Sequence, residues 1–181
     1  MAGTRAAQRR ATQTALITEA RQRFATEGYT AVRLSDVVDA LGMTKGALYH
    51  HFTSKHDLFR AVVQQVQQEV ADRVQAAARP GAGPWEELIA GCEAFLASYS
   101  SPETRQIMLI DAPTVLGWRE WKEMDGACSE RLLTEVLTSL MENGTLVSRP
   151  VEPMAHLLSG AMNEAALWLA ETESPTALKD T

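Results

Sequence analysis

The stretch that decides the fold is Gly42–Lys55, GMTKGALYHHFTSK. It follows residues 34–41, whose apolar side chains recur at helical spacing, and Gly42 stands where a helix end needs a left-handed residue. Thr44 is a good N-cap for the next helix, because its hydroxyl can accept a hydrogen bond from a free backbone N–H. The pattern therefore predicts two short helices joined by a tight glycine turn, which is a helix-turn-helix.

The second helix of this pair carries side chains suited to the major groove of DNA. Gly46 and Ala47 are small, so the backbone can approach base edges, and Lys45 can reach guanine N7 and O6. Donors to phosphate oxygens stand around them, namely Thr44, Tyr49, His50 and Lys55. Each of these has an ordinary explanation when taken alone, such as a cap, a half-buried ring or a solvated lysine. Together they favour a DNA-binding face.

Charge is unevenly distributed along the chain. The 181 residues carry a formal net charge of -6. Residues 1–60 nevertheless carry nine Lys or Arg against five Asp or Glu, whereas residues 61–181 carry eight against eighteen. A basic head on an acidic chain indicates a polyanionic partner for that head.

Several classes of protein are not favoured. No apolar run approaches the roughly 20 residues of a membrane span, and the first residues lack the apolar core of a signal peptide; we expect a cytoplasmic protein without membrane contact. Cys92 and Cys128 form no CxxC pair and have no histidine at ligand spacing, so we expect reduced thiols and no metal. No catalytic constellation is recognisable, so neither an enzyme nor a cofactor is expected. A helical module that binds only proteins is the alternative.

Helical periodicity extends along the whole chain. It predicts helix one from about Ala11 to Glu27 with Gly28 as its stop, helix four from Ser54 to about Ala78, and a last helix from about Glu152 to Glu171. The Pro- and Gly-rich stretch 78–84 is expected to be a loop. Because no strand pattern appears, the sequence predicts an all-α protein of about nine helices.

Residues 28–63, GYTAVRLSDVVDALGMTKGALYHHFTSKHDLFRAVV, resemble the DNA-binding region of TetR-type transcriptional regulators. The resemblance rests on the Gly-Tyr after helix one, the Leu-Gly-hydrophobic-Thr turn, Lys-Gly-Ala-hydrophobic-Tyr, His-Phe and Ser-Lys. It implies a helix-turn-helix DNA-binding domain over residues 1–54 and a helical effector-binding and dimerisation domain over residues 55–181. It also implies a sequence-specific regulator, by default a repressor, that a small and largely hydrophobic effector releases from a palindromic operator in double-stranded DNA.

The resemblance implies roles for individual residues. It puts residues 44–47 at the groove, Tyr49, His50 and Lys55 at phosphates, and Ser35 at the DNA backbone. Arg33 departs from the Ser or Thr that caps helix two in many members, so either another group caps that helix or Arg33 is an additional phosphate contact. The candidate DNA-binding residues are Arg9, Arg10, Arg33, Ser35, Thr44, Lys45, Gly46, Ala47, Tyr49, His50, His51 and Lys55.

A homodimer is expected on physical grounds. One short recognition helix offers few contacts, so two subunits should read half-sites one DNA turn apart, ~34 Å. Apolar stripes on the last two long helices predict a four-helix bundle between subunits, with intramolecular core as the alternative. The candidate interface residues are Leu133, Val136, Leu137, Leu140, Leu158, Ala161, Met162, Ala165 and Leu169.

An effector cavity is expected near residues 110–126, IDAPTVLGWREWKEMDG. Pro113 and Gly117 interrupt the helices, and a break beside large aromatic rings can leave a space for an apolar ligand, although ordinary packing is the alternative. Asp111 is either a polar anchor in this space or a helix cap. The candidate ligand-binding residues are Cys92, Phe95, Tyr99, Met108, Asp111, Trp118, Trp121, Met162 and Trp168.

Overall fold

The computed structural model describes residues 2–78 and 81–171, and every regular element within them is a helix. The helices are α1 (Ala2–Ala31), α2 (Leu34–Ala40), α3 (Lys45–Tyr49), α4 (Lys55–Ala77), α5 (Pro84–Tyr99), α6 (Pro102–Arg105), α7 (Ala112–Val115), α8 (Trp118–Ala127), α9 (Ser129–Glu142) and α10 (Val151–Glu171). A π-helical turn, Gln106–Asp111, joins α6 to α7. Helix α6, the π-helical turn and α7 form one continuous element, so the described residues contain nine helical elements. The all-α prediction is confirmed.

The N-terminal head consists of α1, α2 and α3, packed on the first half of α4. Side chains one turn apart on α1, such as Leu16, Ala20 and Phe24, are fully buried. Phe24 also meets the ring of Phe59 on α4 edge to face, with centroids 5.0 Å apart. This edge-to-face contact adds specific geometry to ordinary apolar burial. It fixes α1 to α4, the helix that continues into the rest of the protein.

The predicted caps of the head are present. Gly42 has a positive φ of 61° after α2, and the Thr44 hydroxyl accepts a hydrogen bond from the Ala47 N–H at 3.2 Å. Ser54 caps α4 by accepting from the Asp57 N–H at 3.0 Å. Asp57 in turn accepts from the Thr53 N–H at 2.9 Å, one residue earlier than a capping box places that bond. The helix-turn-helix is thus fixed by local chemistry.

Helix α1 differs from the prediction at both ends. It starts at Ala2 and continues beyond Gly28 to Ala31, with φ 76° and ψ 159° at Gly28. This conformation interrupts the intrahelical hydrogen bonds, and the Tyr29 N–H donates instead to the Asp111 carboxylate at 2.8 Å. Gly28 therefore produces a break within the element rather than its end.

The remaining helices surround the second half of α4. One apolar core runs from the head into them without interruption, from Leu16 to Ala166. A smaller core, built on Leu137, Leu140 and Ala155, lies between α9 and α10. The division at residue 54 therefore stays a prediction, and residues 172–181 of the predicted second domain lie outside the described residues. None of the described helices has both the length and the apolar character needed to cross a membrane.

Replacing Gly28 by alanine should destabilise the protein. A side chain in this backbone region costs about 1–3 kcal/mol, although the added Cβ has room, since its nearest neighbour, Gln106 Nε2, lies 3.6 Å away. Gly126→Ala is the matched control, because no atom lies within 4 Å of its added Cβ and alanine in a helix is more stable by about 0.5–1 kcal/mol. Urea unfolding of both variants measures the difference. A Gly28→Ala protein as stable as the wild type would contradict this account of the break.

Candidate functional site

The exposed face of α3 is small, basic and rigidly held. Lys45, Gly46 and His50 are exposed. On the opposite face Leu48 is buried in the head core, followed directly after the helix by the buried ring of Phe52. Because the helix spans only Lys45–Tyr49, this apolar anchor and the Thr44 cap together fix its orientation. The result is a short helix whose first turn projects from the surface.

Further basic side chains of the head are exposed. Arg9, Arg10 and Arg33 are exposed on α1 and just before α2. The described residues form no ion pair with Arg9, Arg33 or Lys45. Arg33 makes no side-chain cap for α2, which leaves its guanidinium available for another contact.

Two histidines, His50 and His51, directly follow α3. The rings of His50 and His51 lie edge to face with centroids 5.7 Å apart. The pKa of His51 is lowered, mainly by burial and further by the charges of His50 and Arg9. Arg9 on α1 is therefore close enough to repel the charged form of the His51 ring. Ser35, at the start of α2, is half-buried and donates to Asp36 at 3.2 Å. The structure therefore brings Arg9 of α1 close to the two histidines that follow α3.

Lys55 is placed differently from the other candidates. Its ammonium donates to the Thr30 carbonyl at 3.3 Å and lies 4.4 Å from the centre of the Tyr29 ring. Burial lowers the pKa of Lys55, and attraction to Asp111 partly offsets this. In this position the side chain binds the end of α1 to the start of α4 instead of projecting beside α3.

A cavity of about 300 Å³, partly open to solvent, lies between α4, α5, α9 and α10. Its wall is mostly apolar, with glutamate and serine side chains among the apolar ones. The lining residues are Val74, Gln75, Ala78, Glu87, Leu88, Gly91, Cys92, Phe95, Ser129, Glu130, Leu132, Leu133, Glu135, Val136, Ser139, Ser159 and Met162. Three of the predicted ligand residues, Cys92, Phe95 and Met162, are among them. Cys92 carries a free thiol whose pKa is raised, first by burial and then by Glu93.

The other six predicted ligand residues do not line the cavity, which corrects the expectation. Tyr99, Met108 and Trp121 are buried in the main core, while Trp118 and Trp168 point outward, Trp118 being 66% exposed. The Trp118 and Trp121 rings lie with centroids 5.0 Å apart, so the exposed indole packs against the buried one. Asp111 caps no helix of its own, because its carboxylate binds the Tyr29 amide.

A buried polar group behind the cavity wall escaped the sequence analysis. Lys122 of α8 donates to Asp125 at 3.2 Å and to the Ser159 hydroxyl at 2.8 Å, and pairs with Glu130 at 3.1 Å. Ser159 itself donates to Asp125 at 3.1 Å. The local signal was the Lys-Asp spacing of three on α8, which brings the two charges together on one helix face. Within the described residues no three His, Cys, Asp or Glu side chains come together as a metal site.

The predicted dimer residues are divided between core and surface. Leu137 and Leu140 are 2% and 0% exposed, with Leu133 packed against them, so these leucines belong to the core of the protomer; this corrects the prediction. Val136 and Met162 line the cavity. On α10, Leu158, Ala165 and Leu169 are half-buried and Ala161 is exposed. The exposed apolar stripe of α10 consists of Leu157, Gly160, Ala161 and Trp168. Of these the prediction included Ala161 but not Leu157 or Trp168, because helical spacing alone does not tell which of two apolar faces the core takes.

Known proteins match both halves of the chain. The family model described as "Tetracyclin repressor-like, C-terminal domain" matches residues 85–181, and the one described as "Bacterial regulatory proteins, tetR family" matches residues 16–62. A solved TetR-family transcriptional regulator from Pectobacterium atrosepticum is 32% identical, with a TM-score of 0.76 over 95% of this chain and 88% of that one.

Two curated proteins are also similar. The Transposon Tn10 TetC protein of Escherichia coli is 24% identical over 83% of this chain and 76% of its own length. The transcriptional repressor Rv1474c of Mycobacterium tuberculosis is 30% identical over 62% of this chain and 60% of its own length. The relatives are regulators of transcription and not enzymes. With more than half of the chain matched by one family model and the helix-turn-helix matched by another, this chain belongs to the TetR family of transcriptional regulators.

Proposed function

We propose that the protein is a homodimeric, cytoplasmic repressor that binds a palindromic operator and is released from it by a small, largely hydrophobic effector. The observation that carries the proposal is the first turn of α3, capped by Thr44, anchored by the buried Leu48 and exposing Lys45 and Gly46. Repression is supported by the relative named as a repressor. The sign of regulation is otherwise a family default.

The DNA contacts divide into two kinds. Lys45 is the candidate for reading a base, because it stands at the exposed helix start where a side chain reaches guanine N7 and O6. We assign the phosphates, which hold the helix in register, to the donors of Arg9, Arg10, Arg33, Tyr49 and the two histidines. Lys55 takes another role in this proposal: it keeps the start of α4 attached to α1.

Within the predicted α9–α10 interface, the exposed apolar surface of α10 is a better candidate for subunit contacts than the buried leucines of α9. Leu157 is 74% exposed, and Ala161 and Trp168 follow it at helical spacing on the same face of α10. Small residues at positions 160 and 161 let a neighbouring helix approach closely. We place the centre of the interface on this stripe, with Leu158, Ala165 and Leu169 at its edge.

Helix α4 is the proposed link between effector and operator. Its last turns contribute Val74, Gln75 and Ala78 to the cavity wall, and its first residue, Lys55, holds the end of α1. A ligand that fits better when α4 is displaced would shift the two heads of a dimer away from the half-site spacing. The coupling then equals the difference in ligand affinity between the two states.

The experiment that tests the proposal is a selection from random duplex DNA with purified protein at near-physiological salt. We expect a palindromic consensus whose half-sites lie about one turn apart. Binding to that consensus should weaken steeply as salt is added, because phosphate contacts release counterions. Retention of DNA without a consensus would contradict sequence-specific regulation, and no retention at all would favour the module that binds only proteins.

Substitutions in α3 should separate base contacts from phosphate contacts. Lys45→Ala should cost about 1–3 kcal/mol and relax the preference at one base position. Tyr49→Phe should weaken binding to all sequences nearly alike, because it removes only a phosphate donor. Arg119→Ala, an exposed position on α8 far along the chain, is the control and should change neither. Fluorescence anisotropy with single-base operator variants measures both effects; a uniform loss from Lys45→Ala would make that lysine a phosphate contact.

Operator affinity should fall as pH rises above neutrality. The pKa of free His51 is lowered, so its ring is mostly neutral at pH 7, whereas nearby phosphates would raise that pKa in the complex. Binding then takes up a proton at pH values between the lowered pKa of the free protein and the raised pKa of the complex, so affinity falls as the pH rises through that interval. Anisotropy titrations across this range, with His51→Gln and the distant His156→Gln as control, measure the slope. Equal slopes for wild type and His51→Gln would exclude this residue as the source.

A further inference from the structure

The cavity wall combines apolar surface with negative charge. Three glutamates, Glu87, Glu130 and Glu135, line it, whereas its lining residues include no lysine, arginine or histidine. Most of the rest of the wall consists of apolar side chains such as Phe95, Val136 and Met162. Few polar groups on a mainly apolar wall are typical of a small-molecule site, where the polar groups determine which head group is accepted.

The three glutamates differ in how much of their charge is compensated. Glu135 pairs with Arg131 at 2.5 Å, and both side chains are more than half exposed, so this pair lies at the rim. Glu87 is half-buried in the first turn of α5. Glu130 is enclosed, with a side chain only 18% exposed, and it pairs with Lys122 at 3.1 Å.

Lys122 does not neutralise this part of the wall. Its single ammonium is shared between Glu130 and Asp125, the latter with a side chain 5% exposed. The imidazole of His156, with its side chain 62% exposed, contacts Glu130 at 3.4 Å from the solvent side. Two enclosed carboxylates around one ammonium leave a net negative charge beside Ser159, where attraction is screened less than in water.

We propose that the cavity binds a small apolar cation, whose ammonium group lies beside Glu130 and Ser159 and whose hydrocarbon part packs on Phe95, Val136 and Met162. An organic ammonium supplies the missing positive charge and donates to the free lone pairs of these oxygens. An apolar anion of the same size is repelled by the same carboxylates. That this cation acts as the effector rests on the proposed function, but its binding does not.

Three ligands with the same chain and different heads test the proposal: n-octylammonium, n-octanol and n-octanoate. Isothermal titration of the full-length protein at pH 8 should show octylammonium binding at least about tenfold more tightly than octanol, and octanoate more weakly still. Glu130→Gln should lower the affinity for octylammonium by about tenfold and leave that for octanol unchanged. Glu123→Gln, an exposed glutamate of α8 outside the cavity, is the matched control.

A second variant keeps the test valid if Glu130→Gln disturbs the fold. Val136→Phe fills the cavity without changing any charge and should abolish binding of octylammonium and octanol alike. Thermal melts of each variant show whether it is folded. Equal affinities of wild type for octylammonium and octanol, or octylammonium binding unaffected by either substitution, would overturn the proposal. The titrations contain no DNA, so a negative titration does not contradict the proposed operator binding. A DNA selection without a consensus, in turn, does not contradict the proposed cation site.

Discussion

The hydrogen bond from the Tyr29 amide to the Asp111 carboxylate, 2.8 Å long, joins residues 82 positions apart in the chain. It exists because Gly28 breaks α1 and leaves that amide without an intrahelical acceptor. Lys55, the first residue of α4, contacts the same break through the Thr30 carbonyl. The end of α1, the start of α4 and the π-helical turn therefore meet at residues 28–30. The position of the helix-turn-helix relative to the rest of the protein depends on this junction.

A second connection, formed by ion pairs, lies about two turns earlier in α1 and limits how the head can move. The Arg21 guanidinium pairs with Glu69 of α4 at 2.5 Å and also with Glu103 of α6. Burial, the largest single cause, raises the pKa of Glu69, but the hydrogen bonds from Arg21 and Gln65 and the charges of Arg21 and Arg73 together outweigh it, and the net shift is downward. Since both connections bind α1 to α4 and to the element that contains the π-helical turn, a displacement of α4 reaches the head at two points. The head is then expected to rotate with α4 as a body instead of sliding along it.

The features that the sequence predicted correctly are those that depend on neighbours within a few residues. The Thr44 and Ser54 caps and the left-handed Gly42 are decided by local chemistry, and all three are present. The outcome at Gly28 was not predictable from its surroundings, because the group that satisfies the freed amide comes from a residue far along the chain. The same holds for the cavity: its wall is formed where α4, α5, α9 and α10 fail to fill the space between them, and this depends on helix orientation rather than on the aromatic residues near one break.

The uneven charge of the chain connects these observations. The basic residues of the head attract DNA over distances longer than any contact, while the acidic residues after position 60 repel it. An encounter is thus oriented before contact, with α3 and the arginines of α1 leading. The acidic wall of the cavity belongs to the half of the molecule whose charge repels DNA, so the proposed cationic ligand would approach away from the proposed DNA face. Opposite charges on the two halves would then guide the two proposed partners to two different places. Helix α4 extends from the head to the cavity wall and is the element that both partners would influence.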